Sequence, residues 1–451
     1  MRLLLAVSYL SILTVIYGGL SSGTAAIILV AIVLAQAAAD YRTFILAPFL
    51  LYPFMFLVRI PDPSSVLLVT ISDLAAILSI SVYFVISQPR RSPGMNVTLI
   101  TLLLLIYATY SLLNPAIHVF EVRLVPAVFR QYVLPIVFVA AFASACYRDE
   151  TLSQRALVIS VLSFAIVGSI ALLNYTGIVR IPPLFEEIFP YSSFSVDGDK
   201  SVVGRGVLGL ALVPRLNLFV GGALGSAAAI FVTLALLLFF GFVKRIAQPV
   251  AIAIGAVLTI SAAMTISFST LYPIAVLLVF YILRRGNVIT FIASAWAVGF
   301  LLLSSSLFGR SAYEYFTSEI VSNVSDTAQS MTWPTFIFGM GPRLTAKNFA
   351  SAPVSLSGDI GILRVFVESG IVNFLLFAMI IVLIIRRGVT RLRKELDREI
   401  VPFLLIVVVM LSQVHANLTA LPPFYPLFAL AVAGVLVTPQ SEFTASDQRE
   451  V

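Results

Sequence analysis

LYPIAVLLVFYILRRGNVITFIASAWAVGFLLLSSS, residues 271–306, decides the fold of this chain. Two apolar runs are joined by a short link whose only charges are Arg284 and Arg285. Each run approaches the ~17–25 residues needed to span about 30 Å of hydrocarbon. Lipid offers no hydrogen bonds to a bare backbone, so a run of this kind crosses as a helix that satisfies its own polar groups.

Working outward, the same pattern recurs over the whole chain. Expected spans fall at roughly 3–20, 24–40, 43–59, 66–88, 95–113, 125–146, 155–175, 217–242, 247–265, 267–284, 288–307, 361–385, 400–415 and 420–437. The fold class is therefore an all-α polytopic membrane protein of about 14 transmembrane helices. Composition agrees: of 451 residues 60% are hydrophobic and 11% charged, with a mean hydropathy of +1.05. A soluble domain carries about 25% charged residues because its surface meets water. The first run, with Arg2 before it and GGLSSG after it, does not resemble a cleaved signal. Cys146 is the single cysteine, so neither an intrachain disulfide nor a CxxC motif is available.

Lysine and arginine set the sidedness. Alternate connections read QPRRSPG, YRDETLSQR, VKRIAQ, LRRGN and RRGVTRLRKELDRE; with Arg2, Arg42 and Arg449 they hold about seventeen basic residues, against Arg59 and Arg123 in the opposite short loops. Basic loops stay in the cytoplasm, so both termini are expected there. The same rule accounts for the net charge of +7 without nucleic acid as a partner. The organisation that follows is N-terminal transmembrane helices over 1–175 and a first long exterior loop over 176–216. Central helices over 217–307 and a second long exterior loop over 308–360 come next, then C-terminal helices over 361–437 and a cytoplasmic tail over 438–451. Within the second loop Tyr313, Phe316, Ile320 and Val324 recur at helical spacing, which predicts an amphipathic helix on the outer surface.

Charges inside spans are costly and by default suggest function. Here they gather toward the outer face: Asp73, Arg130 and Gln131, Arg215 and Asn217, Arg364 and Glu368, and Gln413, His415 and Asn417. A transporter places its site near the midplane, open to both faces in turn. A one-sided polar layer suits a site that works from the exterior, although each residue could also be an interfacial anchor. The exterior loops add Arg180, Lys200, Arg205, Arg310, Arg343 and Lys347, against the direction the topology rule prefers. Guanidinium groups hold phosphate oxygens two at a time, which points to a lipid-linked phosphate or pyrophosphate.

Three stretches carry a family resemblance. Pro214-Arg215-Leu216-Asn217-Leu218-Phe219-Val220-Gly221-Gly222 resembles the arginine motif of bacterial O-antigen polymerases and O-antigen ligases. Phe338-Gly339-Met340-Gly341-Pro342 resembles the glycine-rich stretch of their second large periplasmic loop. Gly358-Asp359-Ile360-Gly361-Ile362-Leu363-Arg364, followed by Glu368-Ser369-Gly370-Ile371, resembles the acidic or histidine position and the helix start after it. The resemblance covers roughly residues 200–430. Two departures stand out: Gly221-Gly222-Ala223 replaces an Asn-rich turn, and Ser267-Phe268-Ser269 lacks an expected arginine. Asp359 stands where ligases usually carry histidine, which favours the polymerase.

The resemblance implies a metal-independent, GT-C-like glycosyltransferase without cofactor, in the bacterial inner membrane. It would join polyprenyl-pyrophosphate-linked oligosaccharide units at the periplasmic face, for O-antigen or exopolysaccharide. A chain-length regulator and a flippase are the partners it implies beside the lipid bilayer. The expected catalytic set is Arg215, Asp359, Arg364, Glu368 and His415, with Arg205, Arg343, Lys347 and Arg130 binding substrate. Arg215, Arg343 and Arg364 would neutralise the leaving pyrophosphate, and Asp359, Glu368 or His415 would accept the proton of the acceptor hydroxyl. Two simpler readings stand beside these: Arg364 pairs with Glu368 one turn on, and Asp73 pairs with Arg130 to fix packing. Asp197-Gly198-Asp199 reads as a turn rather than a metal-binding DxD. With His118 and His415 the only histidines, no His-based metal site is expected. The rival functions are an O-antigen ligase and a lipid-linked oligosaccharide flippase or other transporter.

Overall fold

The computed structural model describes residues 44–51, 95–117, 129–149, 151–175, 248–264, 331–339, 361–392 and 424–436, the pairs 204–205 and 213–214, and a few isolated positions. These residues are helical apart from one short antiparallel pair, β1 (Gly204–Arg205) with β2 (Val213–Pro214). The helices are α1 (Ala47–Leu51), α2 (Met95–Ile117), α3 (Leu134–Arg148), α4 (Thr151–Tyr175), α5 (Gln248–Met264), α6 (Trp333–Phe338), α7 (Gly361–Leu392) and α8 (Phe424–Leu436). Two stretches, Thr151–Ile170 and Val365–Thr390, are long and apolar enough to cross a bilayer, and shorter apolar helices accompany them. Composition and helices together mark a helical membrane protein.

Several expected spans coincide with helices: 95–113 with α2, 155–175 with α4, 247–265 with α5, 361–385 with α7 and 420–437 with α8. The expected span 125–146 is α3 preceded by a π turn over Phe129–Val133. Pro135 accounts for that change of winding. Having no N–H, it cannot donate to the carbonyl four residues back, so it stands at the start of the regular helix. The expected spans 3–20, 24–40, 66–88, 217–242, 267–284, 288–307 and 400–415 lie wholly or mostly outside the described residues, as does the amphipathic stretch 313–324.

The chain divides into two compact units. The first comprises Met1–Ser163, Val372–Ile406 and Thr419–Val451; the second comprises Phe164–Ile371 and Val407–Leu418.

In the first unit α8 lies along α3, and both present small residues there. Ala140, Ala141, Ala143 and Ala145 of α3 and Ala429, Ala431 and Ala433 of α8 are all buried. Alanine faces let two backbones approach closely, which is how helices gain contact energy where lipid removes the hydrophobic driving force. An aromatic cluster closes one side of this pair. Phe138 meets Tyr425 edge-on at 5.3 Å between ring centroids, and Phe49 of α1 lies 4.9 Å from Phe142 and 5.9 Å from Phe138. The link between α3 and α4 is a single capped turn. Asp149 Oδ1 accepts from the Thr151 backbone N–H at 3.0 Å and from the Thr151 hydroxyl at 2.7 Å, so a carboxylate satisfies the first donors of α4.

The same unit contains a polar stitch between α2 and α7. Asn373 Nδ2 donates to Ser111 Oγ at 2.8 Å, with both residues buried. Four residues further along α7, Phe377 meets Tyr107, which lies four residues back along α2, at 5.8 Å between centroids. Advance on one helix matched by retreat on the other means the two run antiparallel. Replacing Ser111 and Asn373 by alanine, singly and together, is expected to yield a coupling of about 0.6 kcal/mol, and no more than ~1.7. The buried single thiol of Cys146 supplies the assay, since its reaction with a maleimide dye on heating reports opening of this unit.

In the second unit α4 and α5 touch through small residues. A methyl added at Gly168 would lie 3.0 Å from Ser261 Oγ, and that hydroxyl donates to the Gly168 carbonyl at 3.4 Å.

Candidate functional site

The N-terminal part of α7 is broken. Gly370 has φ 77 and ψ 177 inside an otherwise helical run, so residues 361–369 and 371–392 are two helices in one element. This backbone region is open essentially to glycine alone, because a Cβ collides with the adjoining peptide groups. Just before the break, Ser369 is buried and its hydroxyl donates back to the Val365 carbonyl. Glu368 is buried as well, with 1% of its surface exposed.

The segment that meets this break falls within 308–360, the stretch expected to form the second long loop. Its helix α6 is closed at the start by Thr332 and Thr335. The Thr332 N–H donates to Thr335 Oγ1 at 2.7 Å, and the Thr335 hydroxyl donates to the Thr332 carbonyl at 2.9 Å. The helix ends at Gly339, whose N–H donates to the Thr335 carbonyl at 2.8 Å and whose φ is 82 with ψ 177.

The two glycines face each other. A methyl on Gly339 would lie 2.6 Å from the Gly370 nitrogen and closer still to the Glu368 carbonyl oxygen. A methyl on Gly370 would lie 2.6 Å from the Gly339 nitrogen and would strike the Ile337 carbonyl oxygen. Backbone rests on backbone with no side chain between. Beside this seat Phe336 packs edge-on against Phe366 at 5.6 Å between centroids, and Trp333 against Phe336 at 5.8 Å. The start of the glycine-rich stretch, Phe338-Gly339, and the segment Glu368-Ser369-Gly370-Ile371 are thereby brought together.

The other expected site residues are placed unevenly. Arg364 lies one turn before Glu368 in the first half of α7, and Arg130 lies in the π turn before α3; for both, the backbone alone is described. Arg205 sits in β1 opposite Val213, and Gly204 sits opposite Pro214, the residue before Arg215. The loop therefore pairs the residue preceding each of these two arginines. Arg215, Arg343, Lys347, Asp359 and His415 lie outside the described residues, as do Asp73 and the 197–199 turn. Among the described residues no group of three His, Cys, Asp or Glu side chains is arranged to hold a metal ion.

Two features escape a reading by hydropathy. Asn373 and Ser111 are lone polar residues in apolar runs, and an Asn inside the twelfth span was the available signal. The Gly339–Gly370 seat joins segments about thirty positions apart, with no local pattern to announce it. Set against known protein families, curated proteins and solved structures, the chain matches none.

Proposed function

We propose that this protein is a polysaccharide polymerase of the bacterial inner membrane, with about fourteen spans and cytoplasmic termini. It transfers a growing glycan from its polyprenyl-pyrophosphate carrier to a lipid-linked acceptor unit on the outer side. The acceptor hydroxyl attacks the anomeric carbon of the donor as the bond to pyrophosphate breaks. The hydroxyl proton passes to a carboxylate or imidazole, for which Glu368, Asp359 and His415 are the candidates. Arg215, Arg343 and Arg364 hold the departing pyrophosphate, with Arg205, Lys347 and Arg130 as further cations near it.

The observation that carries this reading is the seat between Gly339 and Gly370. Segments selected separately for their resemblance to one family meet in space, and they meet beside a buried glutamate. The antiparallel course of α2 and α7 adds support, because alternation along the chain requires these spans to run in opposite directions.

Glycan length tests the proposal. Cells lacking the gene are complemented with wild type or Arg215→Ala, and exterior glycan is resolved on a gel. The expected result is single-unit glycan in the deletion, long chains with wild type, and single units again with the variant. Long chains that stay on the carrier without reaching their lipid acceptor would replace the polymerase by a ligase. Lipid-linked units trapped in the cytoplasm would replace it by a flippase.

A further inference from the structure

We infer that α6 is an interfacial anchor, a piece of the second long loop that dips into the headgroup layer of the membrane and holds the loop against the break in α7. This rests on membrane residence and does not depend on the polymerase reading.

Depth is the first argument. The apolar stretch of α7 is Val365–Thr390. That stretch starts directly after Arg364, so Val365 stands near the level where hydrocarbon begins. Gly370 lies about 8 Å further in, within the ~5–10 Å to which interfacial helices sink. Gly339 rests on Gly370, so the end of α6 lies at that depth too.

Surface chemistry is the second argument. Trp333 is 76% exposed and Phe336 37% exposed, on a helix held at that depth. Facing water, these rings would present an exposed apolar patch. In the headgroup layer they meet the environment in which tryptophan is enriched, where an apolar ring and one N–H are both accommodated.

The third argument is backbone satisfaction. Irregular backbone survives at membrane depth only where protein buries it. Gly339, where α6 stops, is buried and its N–H is bonded, and the start of α6 is closed by its own two threonines.

The chain has two tryptophans, Trp296 and Trp333, which makes the test direct. In the full-length Trp296→Phe protein, reconstituted in phosphatidylcholine vesicles, all tryptophan emission comes from Trp333. Bromine is placed on the acyl chains either near the headgroup or near the chain end, and iodide is added on both sides of the membrane. The expected emission is blue-shifted, loses most of its intensity to the shallow bromine, and responds little to the deep bromine or to iodide. Strong quenching by iodide with none by bromine would put α6 in water and overturn the inference. Insensitivity to all three quenchers would put Trp333 under protein and overturn it equally. Should Trp296→Phe fold poorly, the difference between wild type and Trp333→Phe isolates the same signal. Gly339→Ala adds a second readout, because lifting α6 from its seat is expected to open Trp333 to iodide.

Discussion

Gly370→Ala is expected to destabilise the second unit by roughly 2–6 kcal/mol. Two effects add, each about 1–3 kcal/mol: strain in a backbone region that rejects a Cβ, and overlap with packed neighbours. The overlap here is with backbone, the Ile337 carbonyl and the Gly339 nitrogen, so no flexible side chain can swing aside. Gly339→Ala should behave alike, since the seat is reciprocal. Gly370→Asn is a sharper probe of cause. Asparagine tolerates the left-handed helical region, but a ψ of 177 lies far from it, so asparagine gives no rescue. The measurement is the fraction of detergent-purified protein that stays monodisperse on size-exclusion chromatography after heating. A variant as heat-resistant as wild type would show that the glycines do not bear on one another.

Glu368→Gln is expected to cost polymerisation a factor of about 10²–10⁴, the usual contribution of a positioned acid or base. Glutamine keeps the shape and the hydrogen-bonding reach of the side chain while removing its charge and its capacity to take a proton. Protein abundance and thermal behaviour should therefore stay close to wild type, and glycan chain length should collapse toward single units. Burial gives this test its force, because a group with 1% exposure is not a solvated anchor. Full-length chains made by Glu368→Gln would assign Glu368 to structure and leave Asp359 and His415 as the candidate bases.

Among the described residues hydropathy was a good guide to where helices lie and a poorer one to their length. The expected 247–265 and the observed Gln248–Met264 agree because both ends of the apolar run are also ends of the helix. Elsewhere the helix outlasts the run. α7 continues past residue 385 through Arg386 and Arg387 to Leu392, since lysine and arginine are good helix formers in water. α4 begins at Thr151 rather than 155 because Asp149 caps it ahead of the apolar stretch. The candidate site was legible in part. Glu368 and the glycine-rich stretch stood out as residue types, while their meeting did not. A glycine inside an apolar run looks like any other helix position until a second segment supplies the carbonyl that forbids a side chain there. Asn373 and Ser111 vanished for a related reason: a windowed average dilutes one polar atom among twenty apolar residues.

The stitch between Ser111 and Asn373 spans 262 residues of chain. At about 5–20 residues per second of synthesis, α2 waits roughly 13–50 s before its partner exists. Phe138 on α3 waits longer still for Tyr425. During that interval the first unit stands in the membrane with the seam reserved for α7 and α8 filled only by lipid or by a helper protein. Birth order thus makes α8 the closing stave of the unit, and a chain released before its synthesis would lack the face that Phe138 and the alanines of α3 pack against.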